Sequence, residues 1–175
     1  MRSLRGQIFS YDLVFALMAI AFLLWYSINA ANALADKVDR VEGENKMTEV
    51  AQSALTQLTE SPGDPSDWGT LEANSIGLME GRGIIDKGKV EKFSELVSDA
   101  DGYDKARAML SMNRQGGAYL FNLKVEETDG RELYSAGPKE PKEASVTLVS
   151  KIMAMDGRLV RISLKAWGIA DGVGG

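Results

Sequence analysis

Apolar and polar positions along this chain follow three different patterns. Leu13 to Trp25 is wholly apolar. Ile8 to Ile28 gives about 20 predominantly apolar residues, the length a helix needs to cross a bilayer. Farther along, Met47, Val50, Ala51, Ala54, Leu55 and Leu58 recur at steps of three and four, which predicts a helix with one apolar side. In the last third the spacing becomes alternate, as in Tyr119, Phe121, Leu123 and Val125, which predicts a half-buried strand.

The two helical patterns are joined by Asp36 to Lys46, a charged stretch in which Val38 and Val41 alone keep the apolar face. A helix from Phe9 to Leu58 would run about 75 Å at 1.5 Å per residue. Gly43 weakens it by about 1 kcal/mol against Ala, so a bend or frayed turn is expected nearby. Pro62-Gly63 ends the helix and Asp64-Pro65 starts a turn, because Pro lacks an amide proton and fixes φ. Trp68, in the connector that follows, is expected to act as a lid on a small core, the other reading being an exposed partner contact.

Ser75 to Ile85 reads as irregular chain with one short strand at Gly83 to Ile85. Val90, Phe93, Leu96 and Val97 are helix-spaced, and a second short helix spans Tyr103 to Leu110, with Ala106, Met109 and Leu110 on one side. After the aromatic strand, Asp129-Gly130 marks a turn, Leu133 and Tyr134 pair back, and GPKEPK at 137–142 makes an exposed loop. SVTLVSKIMAM and RLVRISLKAW flank Asp156-Gly157, a two-residue hairpin signal. Pairing Met155 with Arg158 sets Met153 beside Val160, Lys151 beside Ile162, Val149 beside Leu164 and Thr147 beside Ala166. That face is the drier one. The opposite face mixes Ser150, Arg161, Ser163 and Lys165 with Leu148, Ile152 and Leu159. The stripe from Met47 to Leu58 is the natural cover for the drier face, which predicts an α+β fold with a long helix packed on a small antiparallel sheet.

Composition narrows the chemistry. The 175 residues suit one modest domain and an appendage. A net charge of -5 argues against a nucleic-acid partner, which would require a basic face. The chain has no Cys and no His, which removes disulfides, thiolate nucleophiles, imidazole bases and the common zinc sites. No S-x-x-K motif stands beside a second Ser or Lys, and neighbours Ser150 and Lys151 point to opposite faces of a strand. Glu126-Glu127 and Asp99-Asp101 raise the question of paired carboxylates. DADGYD at 99–104 resembles a calcium loop but lacks its later ligands, and fits a turn with a helix N-cap. Gly81-Arg82-Gly83 lacks the lysine and helix start of a phosphate loop. The sequence calls for no catalytic residue, cofactor or metal, and the chain is not expected to be an enzyme.

The N-terminus admits three readings. Arg2 and Arg5 precede the apolar run, and Asp36, Lys37, Asp39 and Arg40 follow it in balance, so the positive-inside rule places Met1 in the cytoplasm and Trp25 and Tyr26 at the outer interface. The segment can be a secretory signal peptide with Ala33-Leu34-Ala35 as the cleavage site before Asp36, or an uncleaved anchor. Either makes the remainder a secreted or membrane-anchored binding domain. The third reading starts from Asp12. A carboxylate costs about 2.5 to 3.5 kcal/mol at the bilayer centre and less near the interface, and neither an anchor nor a disposable leader gains from it. A partner charge would.

Arg5-Gly6-Gln7, Ser10 and Asp12 resemble the class III signal peptide of archaeal type IV pilin-like proteins. The order of SPGDPSDW, IIDKGKVEKFSELV, YDKARAMLSM and a last strand ending in AWG is similar to that of a group of archaeal pilin-like secreted proteins. The resemblance implies that residues 1–6 are a leader, cut between Gly6 and Gln7 by a prepilin-peptidase-like enzyme. It implies a helix over 7–60, with a membrane or filament-core part at 8–28 and a head-packing part at 45–58, and an α+β head over 61–175. It further implies that Asp12 neutralises the new α-amino group of a neighbouring subunit. Leu13, Phe15, Leu17, Ile20, Phe22 and Leu24 would then form the packing surface. The partners implied are other pilin-like subunits, the processing enzyme and the membrane, in a surface filament or related secretion assembly. Counted from Gln7, Asp12 is sixth and Ser10 fourth, where the family pattern has fifth and third; cutting after Gln7 restores that spacing.

Overall fold

The computed structural model describes residues 4–68, 73–113 and 118–168, with the side chains of residues 4–10, Asp12 and Asp39 outside the description. Among these residues three helices, α1 (Leu4–Glu60), α2 (Lys87–Leu96) and α3 (Ala100–Met109), accompany six strands. The strands are β1 (Met79–Gly81), β2 (Ile84–Ile85), β3 (Tyr119–Glu127), β4 (Glu132–Ala136), β5 (Val146–Met155) and β6 (Arg158–Gly168). The chain divides into two compact units, Met1–Gly43 and Glu44–Gly175.

Within the second unit the sheet order is β1-β2-β5-β6-β3-β4. It is a mixed sheet and not the purely antiparallel one expected. Four pairings are antiparallel, whereas β2 runs parallel to β5, with Ile84 opposite Ala154. The residues 75–85 read as irregular chain hold a tight β1–β2 hairpin that places Ile84 beside β5. Two and three residues are too few for alternation to register in a sequence.

The β5–β6 register is the one that the Asp156-Gly157 turn dictates. Met155 faces Arg158, Met153 faces Val160, Lys151 faces Ile162, Val149 faces Leu164 and Thr147 faces Ala166. Asp156 and Gly157 have φ of 50° and 75°, the pair of positive values that a type I′ turn requires. On the inner face Met153, Val160, Ile162, Leu164 and Ala166 are buried, continued by Phe121, Leu123 and Val125 of β3. On the outer face Leu148, Ile152 and Leu159 are exposed, while Ser163 and Trp167 are buried.

The stripe of α1 covers the inner side. Met47, Ala51, Ala54, Leu55 and Leu58 are buried in one cluster with the sheet residues. Beyond its last turn, the Leu78 amide donates to the Leu58 carbonyl at 2.7 Å, satisfying one of the acceptors a helix end leaves free. The Gln57 amide group donates to the carbonyls of Ile76 and Met109, both at 3.3 Å. Helical structure runs unbroken through Gly43, so the frayed turn anticipated there is not formed.

The two short helices fill the rest of the core's border. Asp86 caps α2 by accepting from the Lys89 amide, and Val90, Phe93 and Val97 are buried beneath it. Asp99 caps α3 by accepting from Gly102 N, so α3 starts three residues before the Tyr103 expected from apolar spacing. Trp68 is a lid on the core: it is buried and its indole donates to the Gly77 carbonyl at 2.7 Å. Leu58 is wholly buried in the cluster that the stripe shares with the sheet residues. Leu58→Ala is expected to cost about 2–5 kcal/mol, read as a fall in thermal midpoint; a change below about 1 kcal/mol would mean the stripe is not the main cover of the sheet.

Candidate assembly surface

In the first unit, Leu13, Phe15, Leu17, Ile20, Phe22 and Leu24 are all between 54% and 68% exposed. At 3.6 residues per turn Leu13, Leu17, Ile20 and Leu24 lie along one side of the helix, whereas Phe15 and Phe22 lie on the other. Val14, Met18, Leu23 and Trp25 fill the remaining directions and are exposed as well. Phe22 and Trp25 stack loosely along the surface, their centroids 6.0 Å apart. A helix that is apolar around its whole circumference requires apolar surroundings on every side, supplied by lipid or by other helices. Among the described residues one helix is long and apolar enough to cross a membrane, with a mean hydropathy of 2.0 over its most apolar window.

Gly6, Gln7 and Asp12 fall on the α1 backbone, and their side chains lie outside the described residues. The structure brings the six apolar residues together on one helix without showing what Asp12 meets.

On the head, Glu126, Glu127, Asp99 and Asp104, among the carboxylates that raised the question of chemistry, are engaged in ion pairs and a helix cap. Glu126 and Glu127 alternate across β3 and engage separate cations: Glu126 pairs with Lys124 at 2.5 Å, Glu127 with Arg131 at 2.6 Å and Arg158 at 2.9 Å. The Arg131 hydrogen bond, then that of Arg158, holds the Glu127 carboxyl below its usual range. Ser150 faces outward, and Lys151, on the other side of β5, pairs with Glu60 at 2.5 Å. In DADGYD, Asp99 is a cap and Asp104 binds Arg107 at 2.8 Å. Among the described residues no group of three His, Cys, Asp or Glu side chains is placed to hold a metal ion.

Next to Glu127 lies a cleft of about 360 Å³ lined by Lys87, Arg131, Tyr134, Asp156 and Arg158 among others. Sequence reasoning gave no sign of it, since its charges come from α2, from the end of β3 and the turn after it, and from the β5–β6 turn and the start of β6. The Tyr134 hydroxyl donates to Glu91 Oε1 at 2.9 Å, and burial together with that carboxylate pushes the phenol up to about 12. Burial raises the Tyr103 phenol as well. A raised acid dissociates less readily in the folded chain than in the unfolded one, so the Tyr134 contribution is intact below pH 10 and declines as pH rises toward 12, and that of Tyr103 falls in the same direction. Melting curves across that interval are expected to show a falling midpoint, with a shallower fall in Tyr134→Phe; parallel curves for the two proteins would refute the assignment to Tyr134.

No protein-family profile, curated protein sequence or solved structure matches the chain.

Proposed function

We propose that the protein is a structural subunit, a pilin or minor pilin, of a type IV pilus-like surface filament or a related secretion or adhesion assembly. The observation that supports this reading best is the helix of the first unit, apolar on every side and exposed throughout Leu13–Ile28. Lipid can cover such a surface before assembly, and the same surface of other subunits can cover it afterwards.

Asp12 distinguishes this reading from an anchor. Inside a bundle of apolar helices a carboxylate is tolerated when a cation neutralises it, and a processed neighbour supplies an α-ammonium at the matching depth. Gln7, or Ile8 with the later cut, provides that terminus, and a prepilin-peptidase-like enzyme makes the cut. The head then faces outward and serves as the contact surface. No step in this role is catalytic.

Mass spectrometry of the mature chain is expected to find Gln7 or Ile8 at its start. Asp36 at the start would make the chain a released domain, and Met1 an anchored one. Asp12→Ala is expected to abolish filament formation while leaving export and head folding intact, as counted by electron microscopy of surface appendages. Filaments at normal yield would overturn the electrostatic pairing.

A further inference from the structure

Strand β5 has a free edge. Its odd-numbered residues exchange backbone bonds with β6, because the two-residue turn makes Met155 and Arg158 a hydrogen-bonded pair and such pairs recur at every second residue. The even-numbered residues therefore direct their N–H and C=O groups the other way. Ala154 uses that side, its amide donating to the Gly83 carbonyl at 3.0 Å. β2 ends there, and among the described residues no strand faces Val146, Leu148, Ser150 and Ile152.

The side chains of those residues sharpen the point. Val146, Leu148 and Ile152 are 37%, 60% and 56% exposed on the outer face. Ordinary edge strands are protected by charge, by Pro or by a bulge. Charged residues make up 26% of this chain, yet none of these four is charged, the stretch has no Pro, and its pairing to β6 is unbroken. Lys151 is the one charge within this stretch, and it sits on the inner side bound to Glu60.

We infer that this edge pairs with the same edge of a second copy of the chain, antiparallel about a two-fold axis at Val149. The register follows from what is free. Ala154 is occupied and β5 begins at Val146, so the unpaired stretch is Val146–Ile152 and its midpoint is Val149. Centring there sets Val146 opposite Ile152 and Leu148 opposite Ser150, and each such pair exchanges both N–H···O bonds. The two Leu148 side chains become diagonal neighbours, so the outer face gains a continuous apolar row across the join. On the inner face Lys151 meets Thr147, and no like charges are opposed. The free stretch is thus complementary to itself, as a two-fold contact requires. This contact joins heads and uses no residue of the first unit.

The chain has no cysteine, so single substitutions report on the pairing cleanly. At the axis the two Val149 residues form a non-hydrogen-bonded pair about 4.5 Å apart at Cα, inside the disulfide range of about 4.4–6.8 Å. The two Ile152 residues would lie about 20 Å apart, six residues along the strand at 3.3 Å each. Full-length Val149→Cys in detergent under mild oxidation is expected to convert mostly to a disulfide-linked dimer. Ile152→Cys, with the more exposed thiol, should cross-link at least roughly tenfold more slowly. Adding Leu148→Lys or Ser150→Pro to Val149→Cys should abolish the dimer, the first by charge and the second by removing an edge donor. Amide exchange on the unsubstituted chain gives a second reading: protection of Val146, Leu148, Ser150 and Ile152 should rise with protein concentration and vanish in Leu148→Lys. Equal cross-linking at both positions, absence of the Val149→Cys dimer, or exchange independent of concentration would overturn the inference, as would capture of this edge by a strand of a different protein. Asp12→Ala should leave the Val149→Cys dimer unchanged, which separates failure here from failure of the filament reading.

Discussion

Ala51, Ala54 and Leu58 have no exposed surface, and neither do Ile162, Leu164 and Ala166 on the sheet side. The burial of one helical stripe on one face of the β5–β6 hairpin is the contact on which the head depends. A two-stranded ribbon is marginal in water, and so is a solitary helix. Each supplies the apolar surface that the other must remove from water, at about 25 cal/mol per Å². Two alanines of the stripe, Ala51 and Ala54, are among its fully buried residues. The remaining parts border this contact: Trp68 and the 76–79 segment at the end of α1, α2 beside β4, and α3 beneath the start of β3.

Residues whose conformation is decided locally were legible from the sequence. The Asp156-Gly157 turn sets every pair along β5 and β6, since a two-residue loop leaves no choice of register. The Met47–Leu58 stripe and the α2 stripe could be read because buried positions repeat every three to four residues. What was not legible depended on chain-distant partners. β1 and β2 are too short to carry a pattern and are tied to the sheet where the Ala154 amide donates to the Gly83 carbonyl, with Ile84 opposite Ala154. The start of α3 was masked because its first turn holds Asp101 and Gly102, poor helix formers that the Asp99 cap compensates. The cleft beside Glu127 could not have been found from one stretch of sequence, because no stretch contains two of its basic residues close together.

The same distinction applies to the assembly surface. That Leu13–Ile28 is apolar all round is a property of composition and helix geometry, so the sequence suffices to show it. In the proposed assembly, what Asp12 opposes would belong to a second molecule and could not be read from one chain. The head is accounted for by internal packing, whereas the apolar helix would be accounted for by neighbours only in the proposed assembly.

Tyr103 resolves a smaller difficulty. Its hydroxyl accepts from the Phe121 amide at 2.8 Å and donates to the Phe121 carbonyl at 2.9 Å, on the stretch of β3 that β4 does not reach. One phenol thereby stands in for a strand residue, with its ring stacked on Phe121 at 5.0 Å. The chain is released from the sheet at Gly137 without leaving polar groups stranded, and the segment running to Val146 carries no duty in the ladder. Insertions or decorations there would leave the framework untouched, which makes it the place where related chains can diversify their outer surface.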